Sequence, residues 1–336
     1  MTDYLSLDRL ISGALKSDDT HYMAEALRQM GVKIDEPDDT TFLVHGKGQL
    51  KAPLEPLFLG NAGTATRFLT AAVASVTGQV IVDGDEHMRK RPIAPLVDAL
   101  GRMGVAILAP TGCPPVTIDG TGFVPGGTIE IDGGLSSQYV SALLMVAPLA
   151  DGPVDIRLTG EGIGARGYID LTTAAMKAFG ADVEKLSESH WRITPSKYLA
   201  TDYLVEPDAS AATYLWAIEA LTGGKIDLGT AADAFTQPDA RAHAIIAQFP
   251  QMPAKIDGSQ MQDAVPTLAV LAAYNSTPVR FVGIENLRVK ECDRIAALSQ
   301  GLNRIRPGLA EEEGDDLIVH SDPLLAGQLV DAEIDS

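Results

Sequence analysis

Apolar residues recur every three or four positions along MAEALRQMG, LVDALGRMG and TTAAMKAFG, and each run stops at a glycine: Gly31, Gly104 and Gly180. That spacing predicts one buried face of a helix, and a glycine supplies the left-handed residue that closes many helices. Alternating stretches follow each glycine (VKIDE, VAILA, ADVEK) and predict strands. The three junctions lie at nearly equal intervals, so they read as a structural repeat. Between them GQVIVDG, GGTIEIDGG, VDIRLTG and HWRITP are short strand-like runs bounded by Gly, Asp or Pro. The repeating unit is therefore an α/β unit with several strands, not a single strand–helix–strand step.

The pattern breaks at TPSKYLATDYLVEPDAS, where Pro195 and Pro207 flank an expected crossing into a second domain. We place one α/β repeat domain at residues 1–204 and a second at 205–336. Beyond the crossing, ASAATYLWAIEALTGG predicts a helix, KIDLG a strand, AVPTLAVLAAYN a helix and TPVRFVG a strand. IAALSQGLNRIRPG then starts a further helix–strand unit.

Composition narrows the function. The 336 residues carry a formal net charge of -19, which argues against a nucleic-acid surface. The most apolar run, YVSALLMVAPLA, is too short to span a bilayer and carries Pro148. Two distant cysteines, Cys113 and Cys292, form neither a disulfide framework nor a metal knuckle. Six histidines without an HExxH pattern give no support for zinc. A cytoplasmic protein is expected. Against this acidic background Arg89, Lys90 and Arg91 stand side by side and stop at Pro92. The run is either a solvated face or a clamp for a small anion.

Other candidates also admit two readings. In LFLGNAGTATRFLTAAVA, small residues around Gly63 precede a helix, with Arg67 one turn inside. This is a plain helix start with a surface arginine, or a place where backbone N–H groups meet an anion. Ser136, Ser137 and Gln138 open an apolar helix and suit either capping or phosphate binding. Arg166 and Tyr168 occupy the same place in the next unit. Asp263 precedes AVPTLAVLA as a cap or as a proton acceptor. NLRVKECDR packs Arg288, Lys290, Glu291, Asp293 and Arg294 into seven residues, as a salt-bridge net or as an anion site with a carboxylate for proton transfer. Cys292 has no nearby histidine to activate it and is expected to pack.

Taken in order from about residue 15 to residue 305, LKSDDTHYMAEALRQMGV, LFLGNAGTATRFLTAA, DGDEHMRKRPIAPLVDAL, GLSSQYVSALLMVAPLA, VEPDASAATYLWAIEA, QMQDAVPTLAVLA and NLRVKECDR closely resemble the EPSP synthase family, the 3-phosphoshikimate 1-carboxyvinyltransferases. The resemblance implies an α/β fold, a two-domain inside-out barrel of repeated βαβαββ units with a cleft that closes on substrate. It implies transfer of the carboxyvinyl group of phosphoenolpyruvate to the 5-hydroxyl of shikimate 3-phosphate, in a cytoplasmic monomer, without metal or organic cofactor. By the same resemblance Gly63, Arg91, Gln138 and Arg294 hold phosphoenolpyruvate. Ser136, Ser137, Gln138, Tyr168, Asp263, Asn286 and Lys290 hold shikimate 3-phosphate, and Asp263 and Glu291 move the protons. The first domain would supply the residues through Tyr168, and the second would supply the rest. Two carboxylates and cationic clamps suit the chemistry, because addition to the vinyl group and elimination of phosphate each need a proton delivered and one removed.

Departures from the family pattern set further expectations. Ala165 stands where the family usually has serine, so one phosphate donor is expected to be lost unless neighbouring Arg166 compensates. MTDYLS replaces the expected SKS segment, and no histidine–arginine pair or final lysine follows VDAEIDS. The chain is thus expected to be a fragment with impaired turnover. Two alternatives remain beside this assignment. One is the related UDP-N-acetylglucosamine 1-carboxyvinyltransferase, although its reactive-cysteine loop has no counterpart around Cys113. The other is a non-catalytic binding protein of the same fold.

Overall fold

In a computed structural model, residues 8–46, 49–134, 136–160 and 166–328 are described. Ala165 lies outside them. The chain opens with β1 (Asp8–Ser12), α1 (Asp18–Gln29), β2 (Lys33–Asp38) and β3 (Thr41–His45). A reciprocal cap fixes the start of α1: Ser17 Oγ accepts from Thr20 N at 3.4 Å, and Thr20 Oγ1 accepts from Ser17 N at 2.9 Å. The next unit runs β4 (Leu57–Phe58), α2 (Gly63–Ala72), β5 (Thr77–Asp83), α3 (Ala94–Arg102), β6 (Ala106–Leu108) and β7 (Val116–Thr121). The third repeats it as β8 (Gly127–Asp132), α4 (Ser137–Val146), β9 (Val154–Thr159), α5 (Arg166–Ala178), β10 (Val183–Ser187) and β11 (His190–Ile193), and β12 (Tyr203–Leu204) follows.

Each four-stranded sheet shares one order. In β4-β5-β7-β6 and β8-β9-β11-β10, the first pair is parallel and the other two pairs are antiparallel. The first sheet, β12-β1-β3-β2, completes the same plan out of sequence. Its parallel strand beside β1 is β12, with Ile11 opposite Tyr203. The three helix-ending glycines adopt left-handed backbone, with φ of 92° at Gly31, 97° at Gly104 and 79° at Gly180. A side chain there would be strained, so the residue type and the turn are causally linked. Helices α2 and α4 are buried on most sides and pack on each other, together with Leu57, Val82, Leu96 and Trp191.

The later part of the chain contains α6 (Ala209–Thr222), α7 (Ala242–Ile246), β13 (Lys255–Asp257), α8 (Val265–Ala272), β14 (Val279–Val282), α9 (Arg294–Ile305), β15 (Ala310–Glu313) and β16 (Asp316–Val319). Its sheet, β13-β14-β16-β15, has the shared order and a separate core around Phe281, Leu268 and Trp216. KIDLG is not a strand. Gly223 ends α6 in left-handed backbone, and the run then passes as irregular chain with Ile226 exposed and no described strand beside it.

Two compact units emerge, residues 1–163 with 169–206 and residues 164–168 with 207–336. Tyr168, expected with the first domain, therefore clusters with the second unit. No helix among the described residues is long and apolar enough to cross a membrane.

Candidate active site

The chain assembles one cluster of functional side chains in each unit. In the first, α2 starts at Gly63, directly after the turn at Gly60 and Asn61. Arg67 is not a surface residue. It is 4% exposed, because α2 is buried, and its Nη1 turns back to donate to Gly63 O at 3.0 Å. Its Nη2 reaches Pro92 O at 3.3 Å, an acceptor shared with the hydroxyl of Tyr139 at 2.6 Å. Among the described residues Arg67 has no ion pair, and its Nε is buried without a hydrogen-bond partner. Burial pulls its pKa below the ordinary arginine value. A buried cation left without a carboxylate is costly, and a bound anion would offset that cost.

Arg91 joins it. Its Nη1 donates to Asn61 O and Oδ1 at 3.2 and 3.3 Å, and the fixed backbone of Pro92 follows immediately. A methyl carbon on Gly63 would lie 2.7 Å from an Nη of each arginine, so the absent side chain is what lets both guanidinium groups converge. Arg89 behaves differently: it forks onto Asp83 at 2.6 and 3.0 Å on the exposed side. Arg89 thus forms a surface ion pair, while Arg91 turns inward beside Gly63. Ser136 caps α4 by accepting from Gln138 N at 3.3 Å, and Ser137 is half-buried in the first turn. Gln138 Nε2 donates to Thr64 Oγ1 at 3.0 Å, tying α4 to the start of α2.

The second cluster centres on Asp263. It does not cap α8; that place belongs to Ala264, and Asp263 sits in the short turn ahead of it. Asp263 Oδ1 instead accepts from Arg294 Nη1 at 2.8 Å and Lys290 Nζ at 3.3 Å. Burial alone pushes its carboxyl upward, but Lys290 and Arg294 together outweigh burial and hold it below the ordinary value. Glu291 is bound by the same arginine, through Arg294 Nε at 2.7 Å and Nη2 at 3.0 Å. Arg294 therefore bridges the two candidate proton-moving carboxylates. Asn286 is half-buried one turn earlier, and its amide makes no hydrogen bond among the described residues. Cys292 is exposed on the segment entering α9, so the packing role expected for it does not hold.

Arg288 fixes this segment from behind. It donates to Asp293 at 2.8 Å, Glu312 at 3.0 Å, Asp315 at 2.7 Å and Gly314 O at 2.6 Å. Asp293 in turn caps α9 by accepting from Ala296 N at 3.0 Å. Tyr168 completes the cluster, with its hydroxyl 2.5 Å from Asp239 Oδ2 and 3.4 Å from Asp263 Oδ2. Burial first, then the negative charges of Asp263 and Asp239, push the phenol far above its ordinary pKa.

The profile of the family described as EPSP synthase (3-phosphoshikimate 1-carboxyvinyltransferase) matches residues 6–258 and 234–336. The chain belongs to the EPSP synthase family. It is 73% identical over 326 residues to the 3-phosphoshikimate 1-carboxyvinyltransferase of Rhizobium leguminosarum bv. trifolii, covering 97% of this chain and 78% of that protein. Its identity to the enzyme of that name from Pseudomonas savastanoi pv. phaseolicola is 68%, with the same coverage. Its fold matches EPSP synthase from Acinetobacter baumannii with a TM-score of 0.71 at 23% identity, covering 94% of this chain and 76% of that one. The enolpyruvyl transferase NikO from Streptomyces tendae shares the fold with a TM-score of 0.64 at 18% identity, covering 95% and 77%. As an EPSP synthase family member, the chain has the two-domain α/β architecture with repeated βαβαββ sheets expected from its sequence.

Sequence reasoning about this EPSP synthase family member missed two site-forming residues. Tyr139 follows Ser136, Ser137 and Gln138 directly, but its apolar ring matched the helix pattern and concealed its hydroxyl. Asp239 lies in QPDAR, a polar stretch with no period, and only the folded chain brings it to Tyr168.

Proposed function

We infer that this chain transfers the carboxyvinyl group of phosphoenolpyruvate to the 5-hydroxyl of shikimate 3-phosphate and releases phosphate. The observation that carries this inference is the 73% identity to a 3-phosphoshikimate 1-carboxyvinyltransferase over nearly the whole chain. The two clusters supply the chemical groups the reaction calls for.

Gly63, Arg91 and Gln138, with the buried cation of Arg67, are assigned to phosphoenolpyruvate. Ser136, Ser137, Tyr168, Asn286 and Lys290 are assigned to shikimate 3-phosphate. Asp263 accepts the proton of the reacting hydroxyl as its oxygen bonds to C2 of phosphoenolpyruvate, and Glu291 delivers a proton to the methylene carbon. In the second half phosphate leaves C2 with its electron pair and takes the proton held by Asp263, while the methyl carbon returns a proton to Glu291 and the vinyl group is restored. Arg294 links these events. It holds both Asp263 and Glu291. An anion that draws Arg294 away removes a positive charge from Asp263, raises its proton affinity and makes it a better base.

The two unpaired cysteines suit a reducing compartment, and we place the protein in the cytoplasm. The test is to incubate purified chain with both substrates and follow phosphate release and the mass of the product. Slow phosphate release that requires both substrates is expected. Shikimate 3-phosphate binding without any product would identify a binding protein instead, and absence of both would overturn the assignment.

A further inference from the structure

Asp239 has no assigned part in this chemistry, yet it is 1% exposed and lies against the second cluster. Its Oδ2 accepts from the Tyr168 hydroxyl at 2.5 Å and from Ser210 Oγ at 3.1 Å. Its Oδ1 accepts from Ala264 N, the backbone group next to Asp263, at 3.1 Å. One buried carboxylate thereby joins the Tyr168 segment, the first turn of α6 and the turn that presents Asp263. The packing around it is close as well. A methyl carbon on Gly167 would fall 2.5 Å from Pro238 Cβ, so the residues before Tyr168 and Asp239 press together with no space for a side chain.

We propose that Asp239 is a positioning residue, which accepts the hydrogen bond of the Tyr168 hydroxyl and so directs that hydroxyl away from Asp263. Two acceptors compete for the single phenolic proton. Asp239 stands at 2.5 Å, in the range of charge-assisted O–H···O bonds, while Asp263 stands at a marginal 3.4 Å. A phenol that donated to Asp263 would stabilise its ionised form and weaken it as a proton acceptor. Directing the Tyr168 hydroxyl to Asp239 leaves Asp263 to Lys290, Arg294 and the incoming hydroxyl. The bond to Ala264 N fixes the backbone beside Asp263 at the same time. Burial and the nearby charge of Asp263 both raise the pKa of Asp239, while its three donors oppose them. The functional meaning of this arrangement rests on the roles given above to Tyr168 and Asp263; the placement of the proton does not.

Proton nuclear magnetic resonance on the ligand-free chain tests the placement. A short hydrogen bond of this kind gives a hydroxyl resonance far downfield. It should be lost in Tyr168→Phe and in Asp239→Asn, and kept in Asp263→Asn. Loss in Asp263→Asn, or persistence in Tyr168→Phe, would overturn the proposal even if Asp239→Asn failed to fold.

Calorimetric titration with shikimate 3-phosphate then tests the function through a double-mutant cycle. Asp239→Asn should weaken binding roughly tenfold on a wild-type background and little on a Tyr168→Phe background. A residue that only supports the fold would give equal losses in both, and that result would reject the positioning role. Absence of binding by the unmodified chain would instead refute the proposed function, while the resonance experiment would still decide where the proton lies.

Discussion

Gly63 is a position where a single methyl group should disturb two guanidinium groups at once. Its Cβ would enter the space held by Nη atoms of Arg67 and Arg91, so Gly63→Ala should push both cations aside. Because guanidinium ends can move, stability should change little. The KM for phosphoenolpyruvate should rise roughly tenfold, about the value of one charge-assisted hydrogen bond, in steady-state assays with shikimate 3-phosphate saturating. Arg91→Ala should weaken phosphoenolpyruvate use far more than Arg89→Ala, since Arg89 is engaged with Asp83 on the surface. Equal KM changes would contradict that division. For Asp263→Asn, shape survives while the proton acceptor is lost, so turnover should fall roughly 100-fold or more. The same variant has a pH signature. An acid whose folded pKa is depressed stabilises the fold above its unfolded pKa, and that contribution disappears as pH falls through the folded value. The stability gap between wild type and Asp263→Asn, about 1–2 kcal/mol for a partly exposed ion pair, should therefore be present at neutral pH and close below about pH 4. Urea unfolding at stepped pH measures it.

At the scale of elements, Arg288 tests whether the second cluster depends on what lies behind it. Four partners tie it to the N-cap of α9 and to the β15–β16 hairpin. Arg288→Gln should cost about 1–2 kcal/mol by loosening the start of α9, where Arg294 begins the helix. The KM for phosphoenolpyruvate should rise alongside, and an unchanged KM would show that α9 holds its place unaided. Much of this layer was legible in the sequence, because helix-closing glycines and alternating strands are local signals. Gly31, Gly104 and Gly180 predicted both the turns and the repeat. KIDLG carried the same alternation and misled, since alternation describes a strand only where another strand lies beside it. The inward course of Arg67 was hidden too: burial of α2 comes from α4, far along the chain. Arg91 could be suspected from Pro92, whereas Asp239 had no local signal at all.

For the whole molecule, each unit has its own core and its own tryptophan: Trp191 in the first and Trp216 in the second. Phe281, fully buried in the second core, provides a selective perturbation. Phe281→Ala should cost about 3–5 kcal/mol and shift unfolding followed by Trp216 fluorescence in a Trp191→Phe background. A transition left in place would mean that the second core does not set the stability of its own unit. The first sheet has a consequence of a different kind, because β1 is completed by β12. Leu10 N also donates to Asp202 across 192 residues of chain. A ribosome extending the chain at about 5–20 residues per second would leave β1 without that neighbour for on the order of ten seconds or longer. β1 emerges long before β12 and is therefore among the last strands of its unit to be closed. During that interval its open edge is where a nascent chain would be captured by a chaperone or lost to aggregation.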